Sequence, residues 1–480
     1  MKPAVSSTLG ASKEFYSLNL TGSAGVTIGT GYSLTLDSGG LIANTTTTGG
    51  ISGGTLKGSP SGELVVNVVK TTPNFAASSI IDNNGGPTAL VKTGPGTLTL
   101  SGVSTNHCYT GDTYINQGTL EYALANNLSY GGVISGAGNL LKSGTAWLTL
   151  GDANTYTGTT TVTGGMLLVN GSLAAETAVS IQGGAELDGS GTIFGNVTAS
   201  QGVIEFGGPI MGSVTVSGNS TLPSQSAQLA GGLNYTSINS SMFGGLISGA
   251  GKAVTLNAPS GTMLTLIHAN TYTGGTTTQN GTLKAGTNNA FGTGSLTIGA
   301  GGTLDLNGKN CTFTSLDGLA GGTLTTDGPA TLTVNMLAGS SSNYAGSFLV
   351  TDNSTLNVGT ANSSLALSGA LSVSNNKTLT KLGAGTLIIS GSQSWGAGSV
   401  LQIGGSGGSA PEQVMLLGGG LNDNVTAGSA YGGGLASGGS VVPEPSTWAL
   451  LFAAAATLAA CGLLRFRSRL FGVMVGVRRR

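Results

Sequence analysis

Glu186, Asp188 and Glu205 are the densest group of side chains able to do proton chemistry in this 480-residue sequence. Hydrolysis of a glycosidic bond needs two carboxyl groups flanking it, about 5–10 Å apart. Glu186 and Asp188 stand two apart and would share one face of a strand. Glu205 follows Glu186 by close to one turn of a coiled strand repeat and would stack beside it. The same three residues read better as a solvated strand face at a rung edge, and that reading is preferred. A lyase would need a cationic base, yet residues 1–464 hold no arginine and no lysine lies between Lys142 and Lys252. His107 and His268 are too far apart in sequence to be metal ligands by spacing. His107-Cys108 lacks a third orienting group nearby. Cys108, Cys311 and Cys461 include no Cys-x-x-Cys pair, and spacing alone does not join Cys108 to Cys311. Gly94-Pro-Gly96 is followed by no Gly-Lys-Ser/Thr, so it is a corner and not a phosphate loop. No catalytic residue, metal or cofactor is assigned.

The elements that would carry such groups are strands. Glycine supplies 86 residues, charged side chains only 7% and aromatics 5%, against roughly 25% charge in an average soluble domain. Disorder does not follow, because 39% of residues are hydrophobic and alternate with Thr and Ser at the period of a strand. The formal net charge is -1. All six arginines lie at 465, 467, 469, 478, 479 and 480, leaving the body weakly acidic. A body without clustered cations is a poor match for phosphate, so nucleic acid is not an expected partner.

Internal repeats organise the body. One copy runs from Leu90 through Gly94-Pro-Gly-Thr-Leu-Thr-Leu100 to Tyr109-Thr-Gly111 and Gly118-Thr-Leu120. A second runs from Leu140 through Asn154-Thr-Tyr-Thr-Gly158 to Leu168, and a third from Leu264 through Asn270-Thr-Tyr-Thr-Gly274 to Gly308. A weaker fourth spans Leu379–Gly391, and Ile-Ser-Gly-Ala-Gly occurs at 134–138 and 247–251. In Thr97-Leu98-Thr99-Leu100 the leucines face one side and the threonines the other. A short strand, a glycine corner and another short strand describe one coil, and stacked coils bury what no coil could bury alone. The expected fold is therefore all-β, a right-handed parallel β-helix over residues 1–403, with roughly 20 coils of about 20 residues. A β-sandwich array is the runner-up, disfavoured because Trp147 and Trp395 are the only tryptophans before the tail. Tyr109, Tyr156 and Tyr272 recur at one repeat position and are the candidate glycan contacts, unless they pack a corner.

The strand pattern fades into a Gly/Ser-rich segment, 404–441, expected to be a linker. Val442-Pro443-Glu444-Pro445 then precedes an uncharged stretch, 448–464, long enough for a membrane span of about 25 Å. Arg465, Arg467 and Arg469 follow as a stop-transfer cluster, which places the C-terminus on the cytoplasmic side and the body outside. A basic tail, 470–480, ends the chain.

Pro443-Glu444-Pro445, the apolar stretch and the arginine cluster together resemble the PEP-CTERM sorting signal over 442–469. That resemblance implies an exosortase-type membrane processing enzyme as partner, cleavage near the Pro-Glu-Pro, and delivery from a membrane-anchored state to the cell surface or matrix. The extension from Leu470 to Val477 departs from the usual pattern. The repeats resemble the autotransporter-associated β-strand repeat, about a quarter of the chain, which implies a passenger-like β-helix. In autotransporters a β-barrel translocator follows the passenger, whereas here a linker and one apolar stretch follow, so another export route is expected. Residues 1–10 carry no apolar signal region, and an export signal is expected upstream of Met1. The two resemblances imply a non-enzymatic envelope or matrix protein with a structural or adhesive role, with polysaccharide as a candidate partner. The alternative is a carbohydrate-active β-helix enzyme, either glycosidase or lyase.

Overall fold

Alternation of apolar and polar residues is realised strand by strand. In Thr97–Gly102, Leu98 and Leu100 are buried while the threonines between them are half-exposed, and Thr119–Leu124 repeats the pattern. The computed structural model describes residues 6–46, 49–102, 109–222, 227–404, 413–416 and 425–427, and among these there is no helix. The chain forms a right-handed parallel β-solenoid of about 17 turns. Every ladder between named strands is parallel, as coil-on-coil stacking requires.

Coil length varies. Val197 lies against Val214, a short turn, whereas Leu64 lies against Leu90 and Leu387 against Val414, both much longer turns. The longer coils at both ends explain why fewer turns form than a uniform period predicts. In-register pairing also continues past residue 403. Gln413–Leu416 pairs with Thr386–Ile389, and Val425–Ala427 with Val400–Ile403, so the solenoid extends into the segment expected to be linker. The short apolar run Val414-Met415-Leu416 supplies the inward residue that glycine-rich sequence around it lacks.

Through the middle of the solenoid each turn carries three short strands. Thr160–Val162, Met166–Val169 and Ser172–Leu173 make one turn, and Val179–Gln182, Glu186–Asp188 and Thr192–Ile193 the next. Each strand stacks on its counterpart one turn earlier, giving three sheets around one interior. Glycine is needed at the corners. Gly165 has φ +64°, and a Cβ there would lie 2.3 Å from the Ala146 carbonyl oxygen of the preceding coil.

The interior is a set of apolar ladders. Leu148, Leu167, Leu187 and Ile204 succeed one another in register on one sheet, each at most 1% exposed. Burying a leucine is worth about 1.5–3 kcal/mol, and every coil contributes several. Leu167→Ala would open a cavity between Leu148 and Leu187 and is expected to cost about 2–5 kcal/mol. The outward Thr149→Ala should stay within about 0.5 kcal/mol. Urea unfolding followed by circular dichroism checks both.

Candidate functional site

The asparagines and tyrosines that make the repeats recognisable point inward. Tyr109 is 4% exposed, and Tyr156 and Tyr272 are fully buried, so the reading of these three as glycan contacts is corrected. Each tyrosine hydroxyl meets the threonine four residues on. Tyr109 pairs with Thr113 at 2.9 Å, Tyr272 with Thr276 at 2.7 Å, and Tyr156 with Thr160. The glycine between tyrosine and threonine turns the chain so that both fall on the inner side. Around Tyr109 this becomes a network: its hydroxyl shares a hydrogen bond with Tyr122 at 2.8 Å, and Thr113 with Tyr130 at 2.7 Å. Burial pushes the Tyr109, Tyr156 and Tyr272 hydroxyls well above their ordinary ionisation range.

The asparagine two residues before the tyrosine joins three consecutive coils. The side-chain oxygen of Asn154 accepts the Ile134 N–H of the preceding coil at 2.9 Å, while its amide donates to Asp152 O at 2.8 Å and to Ser172 O of the following coil at 3.3 Å. Asn270 repeats this, accepting from Ile247 N at 2.7 Å and donating to Ala290 O at 2.5 Å. Ile134 and Ile247 open the two Ile-Ser-Gly-Ala-Gly phrases. That phrase is the docking strip for the Asn-Thr-Tyr-Thr-Gly of the next coil, since Thr155 N and Thr157 N donate to Ile134 O and Gly136 O.

Three lysines complete the pattern. Lys92, Lys142 and Lys381 are fully buried, each two residues after an inward leucine and two before a corner glycine. Lys142 Nζ donates to Ser143 O, Gly144 O and Gly164 O at 2.7, 3.3 and 3.0 Å. Lys92 Nζ donates to Thr93 O, Gly94 O and Gln117 O at 2.9, 2.8 and 2.9 Å. Lys381 Nζ reaches Leu382 O and Gly383 O at 2.9 and 2.7 Å. An ammonium inside the column thus gathers carbonyl oxygens that the glycine corner leaves without strand partners, and for Lys92 and Lys142 one of them belongs to the next coil. These lysines were not singled out from sequence as structural. Parity exposes them: Leu90 and Lys92, or Leu140 and Lys142, are two apart and must share a face.

The acidic group lies on the outer surface. Leu187 points inward, so Glu186 and Asp188 point outward together. Glu205 does not stack on Glu186 as expected. Glu186 pairs with Val203 and Leu187 with Ile204, and Glu205 therefore continues beside Asp188. The reason is coil length: this turn is shorter than the spacing between the two glutamates. Partial burial, then the charges of Glu205 and Asp188, raise the Glu186 carboxyl above its ordinary value. Along the same ladder Glu186 follows Met166 and Trp147, the latter 47% exposed. Cys311 is a free thiol buried in the interior, and burial pushes it up to about 12, so it is no nucleophile. His268 is exposed, with Nδ1 3.0 Å from Ala269 O. Among the described residues no three His, Cys, Asp or Glu side chains converge as metal ligands. His107, Cys108, Val442, Pro443, Glu444, Pro445, the 448–464 stretch, Arg465, Arg467 and Arg469 lie outside the described residues.

Two outcomes follow for the buried groups. Tyr156→Phe removes one hydrogen bond and leaves the Thr160 hydroxyl short of a partner, so it should cost about 0.5–1.5 kcal/mol in urea unfolding. Burial lowers Lys92 and Lys142 from 10.5 to about 8. Between pH 8 and 10.5 the folded chain sheds protons that the unfolded chain keeps, so stability rises with pH across that window. The penalty for the two buried charges is present in full below pH 8. The urea midpoint is expected to climb from pH 8 to 9.5, before ionisation of tyrosines in the unfolded chain opposes it, and Lys142→Met should flatten the climb.

The Passenger-associated-transport-repeat family matches residues 90–121, 140–169, 261–285 and 379–402. The "Adhesin BmaC autotransporter" of Brucella suis biovar 1 (strain 1330) is 29% identical over 461 residues, covering 84% of this chain. The chain spans 12% of the length of that adhesin. No solved structure matches. The three buried lysines and the tyrosine–threonine pairs all fall within the matched segments, which therefore coincide with the side chains that organise the interior.

Proposed function

We propose that this chain is a non-enzymatic β-solenoid displayed at the cell surface, with a structural or adhesive role in the envelope or its exopolysaccharide matrix. The observation that carries this reading is where the repeat chemistry goes. Lysine, asparagine and tyrosine of the signature, with the threonine that meets each tyrosine, are consumed inside the column, and the outer surface is left as a long strand array poor in charge. Likeness to an autotransporter adhesin supports display outside the cell. The tail fits such a route. Val442-Pro443-Glu444-Pro445 would be read by an exosortase-type enzyme, with 448–464 spanning the membrane and Arg465, Arg467 and Arg469 holding it until processing.

A carbohydrate-active enzyme is the second reading, favoured by the raised Glu186 carboxyl beside Asp188 and Glu205, near an exposed tryptophan. Against it, the three acids stand on the outside of an open sheet and nothing encloses them from water.

Two measurements test these readings. Peptide mass mapping of the chain from its native host should find a C-terminus near Pro443–Pro445 in the surface or released fraction. An intact Arg480 in the inner membrane would refute sorting by cleavage. A screen of glycan substrates should show no cleavage by the full chain; cleavage abolished by Glu186→Gln or Glu205→Gln would establish the enzyme instead.

A further inference from the structure

One face of the solenoid has a chemistry that the repeats do not explain. Eight strands stack in register along it: Thr160–Val162, Val179–Gln182, Val197–Ser200, Val214–Ser217, Leu233–Tyr235, Val254–Asn257, then the first parts of Thr276–Ala285 and Ser295–Asp305. The central outward position of these strands is Thr161, Ser180, Thr198, Thr215, Asn234 and Thr255 in turn, continuing through Thr277 to Thr297. Two residues further along each strand runs a second outward ladder, including Thr163, Ser200, Ser217 and Thr236. A third, on the other side, begins at Thr159 and passes through Asn196 and Ser213 to Gly232. None of these outward positions, from the coil of Thr161 to that of Thr297, is charged or aromatic. Beside Gly232 a shallow cleft is bordered by Ser213, Asn234, Gly251, Lys252 and Thr255.

The groups on this face are partly organised already. Ser217 Oγ donates to Ala199 O at 3.1 Å and Thr236 Oγ1 to Val216 O at 3.2 Å, which fixes each hydroxyl relative to the coil below. Each hydroxyl oxygen keeps lone pairs with which it can accept a further hydrogen bond. Asn280 Nδ2 donates to Asn257 Oδ1 at 2.7 Å where the second ladder reaches a bulge.

We infer that this face binds an uncharged polysaccharide, laid along the solenoid with its hydroxyl groups against the Thr/Ser ladders. The inference rests on the adhesive reading above and names its ligand class and its surface. Charge decides against the other partners. The ladders themselves carry no cation, and a single Lys252 at the cleft falls far short of the clustered charges that bind nucleic acid or an acidic glycan. Area decides against a folded protein: seven spacings of about 4.8 Å by about 15 Å of strand give roughly 500 Å², below the ~800 Å² per partner of a stable complex. The face also lacks the Trp, Tyr and Arg anchors that concentrate binding energy in protein interfaces. A sugar hydroxyl, like a threonine hydroxyl, both donates and accepts, so the two surfaces satisfy each other at any rung. Single contacts of this kind are weak, and affinity must come from many rungs engaged by one polymer.

The test uses the full chain and insoluble particles of neutral β-glucan, with alginate as the acidic comparison. Retention on the neutral particles and not on alginate is expected. The triple variant Thr198→Glu, Asn234→Glu and Thr297→Glu places charges on exposed, non-adjacent rungs and should weaken retention by about tenfold or more. Ser129→Glu, Thr155→Glu and Thr271→Glu add the same charge elsewhere and should not, with circular dichroism confirming that both variants fold. Equal retention of the two triple variants would overturn the inference. So would inhibition of ice recrystallisation without glucan retention, since an ordered water surface would then be the partner. Parallel adhesion of cells bearing the native chain separates the readings. Adhesion that survives the ladder charges leaves the adhesive role standing with another face as its contact, whereas loss of all surface binding by the native chain removes both.

Discussion

In-register pairing of each coil with its two neighbours is the interaction on which everything else in this molecule depends. A single coil is too short to own a core. It holds a few inward leucines and strands whose peptide groups have no partners within the same turn. Stacking solves both at once, because the ladder that satisfies the backbone also brings Leu148, Leu167 and Leu187 into contact. The fold is therefore a one-dimensional array, and each element of the repeat can be understood by what it does for the seam between coils.

The most distinctive residues of the repeat accordingly belong to cohesion. Asn154 reaches backbone groups of the coils on either side of its own. Lys142 gathers carbonyls from its own corner and the next. Glu121 does a comparable task on the outside, accepting from the hydroxyls of Thr99 and Ser143, each at 2.7 Å. A match to the repeat family therefore transmits an architecture. Outward positions are left free by the pairing to vary as long as they tolerate a strand.

Much of the architecture was legible from alternation alone. Thr97-Leu98-Thr99-Leu100 declares which face is inward, and recurrence of that phrase declares a stack. The coil count was less legible, since the short turn from Val197 to Val214 and the long one from Leu387 to Val414 both close when corners differ in length. Tyr109, Tyr156 and Tyr272 misled because a recurring aromatic beside a glycine turn looks available. The missing signal was the threonine that recurs four residues after each of them, a partner that only an inward ring needs. The buried lysines were hidden by an ordinary assumption about charge, although their parity with Leu90, Leu140 and Leu379 placed them inside. Glu205 was misplaced because its coil is shorter than the spacing of the acids suggested, which carries it past Glu186 to the level of Asp188.

The burial of Lys92, Lys142 and Lys381 has a consequence for resistance to proteolysis. Proteases that cut after basic residues must draw an extended segment into their active sites, with the basic side chain in a pocket. The first 464 residues contain no arginine and only 11 lysines, and these three point into the column, where they cannot be presented without opening their coil. Such an opening would break ladders to both neighbours together. A chain built this way offers digestive enzymes of that specificity few places to begin.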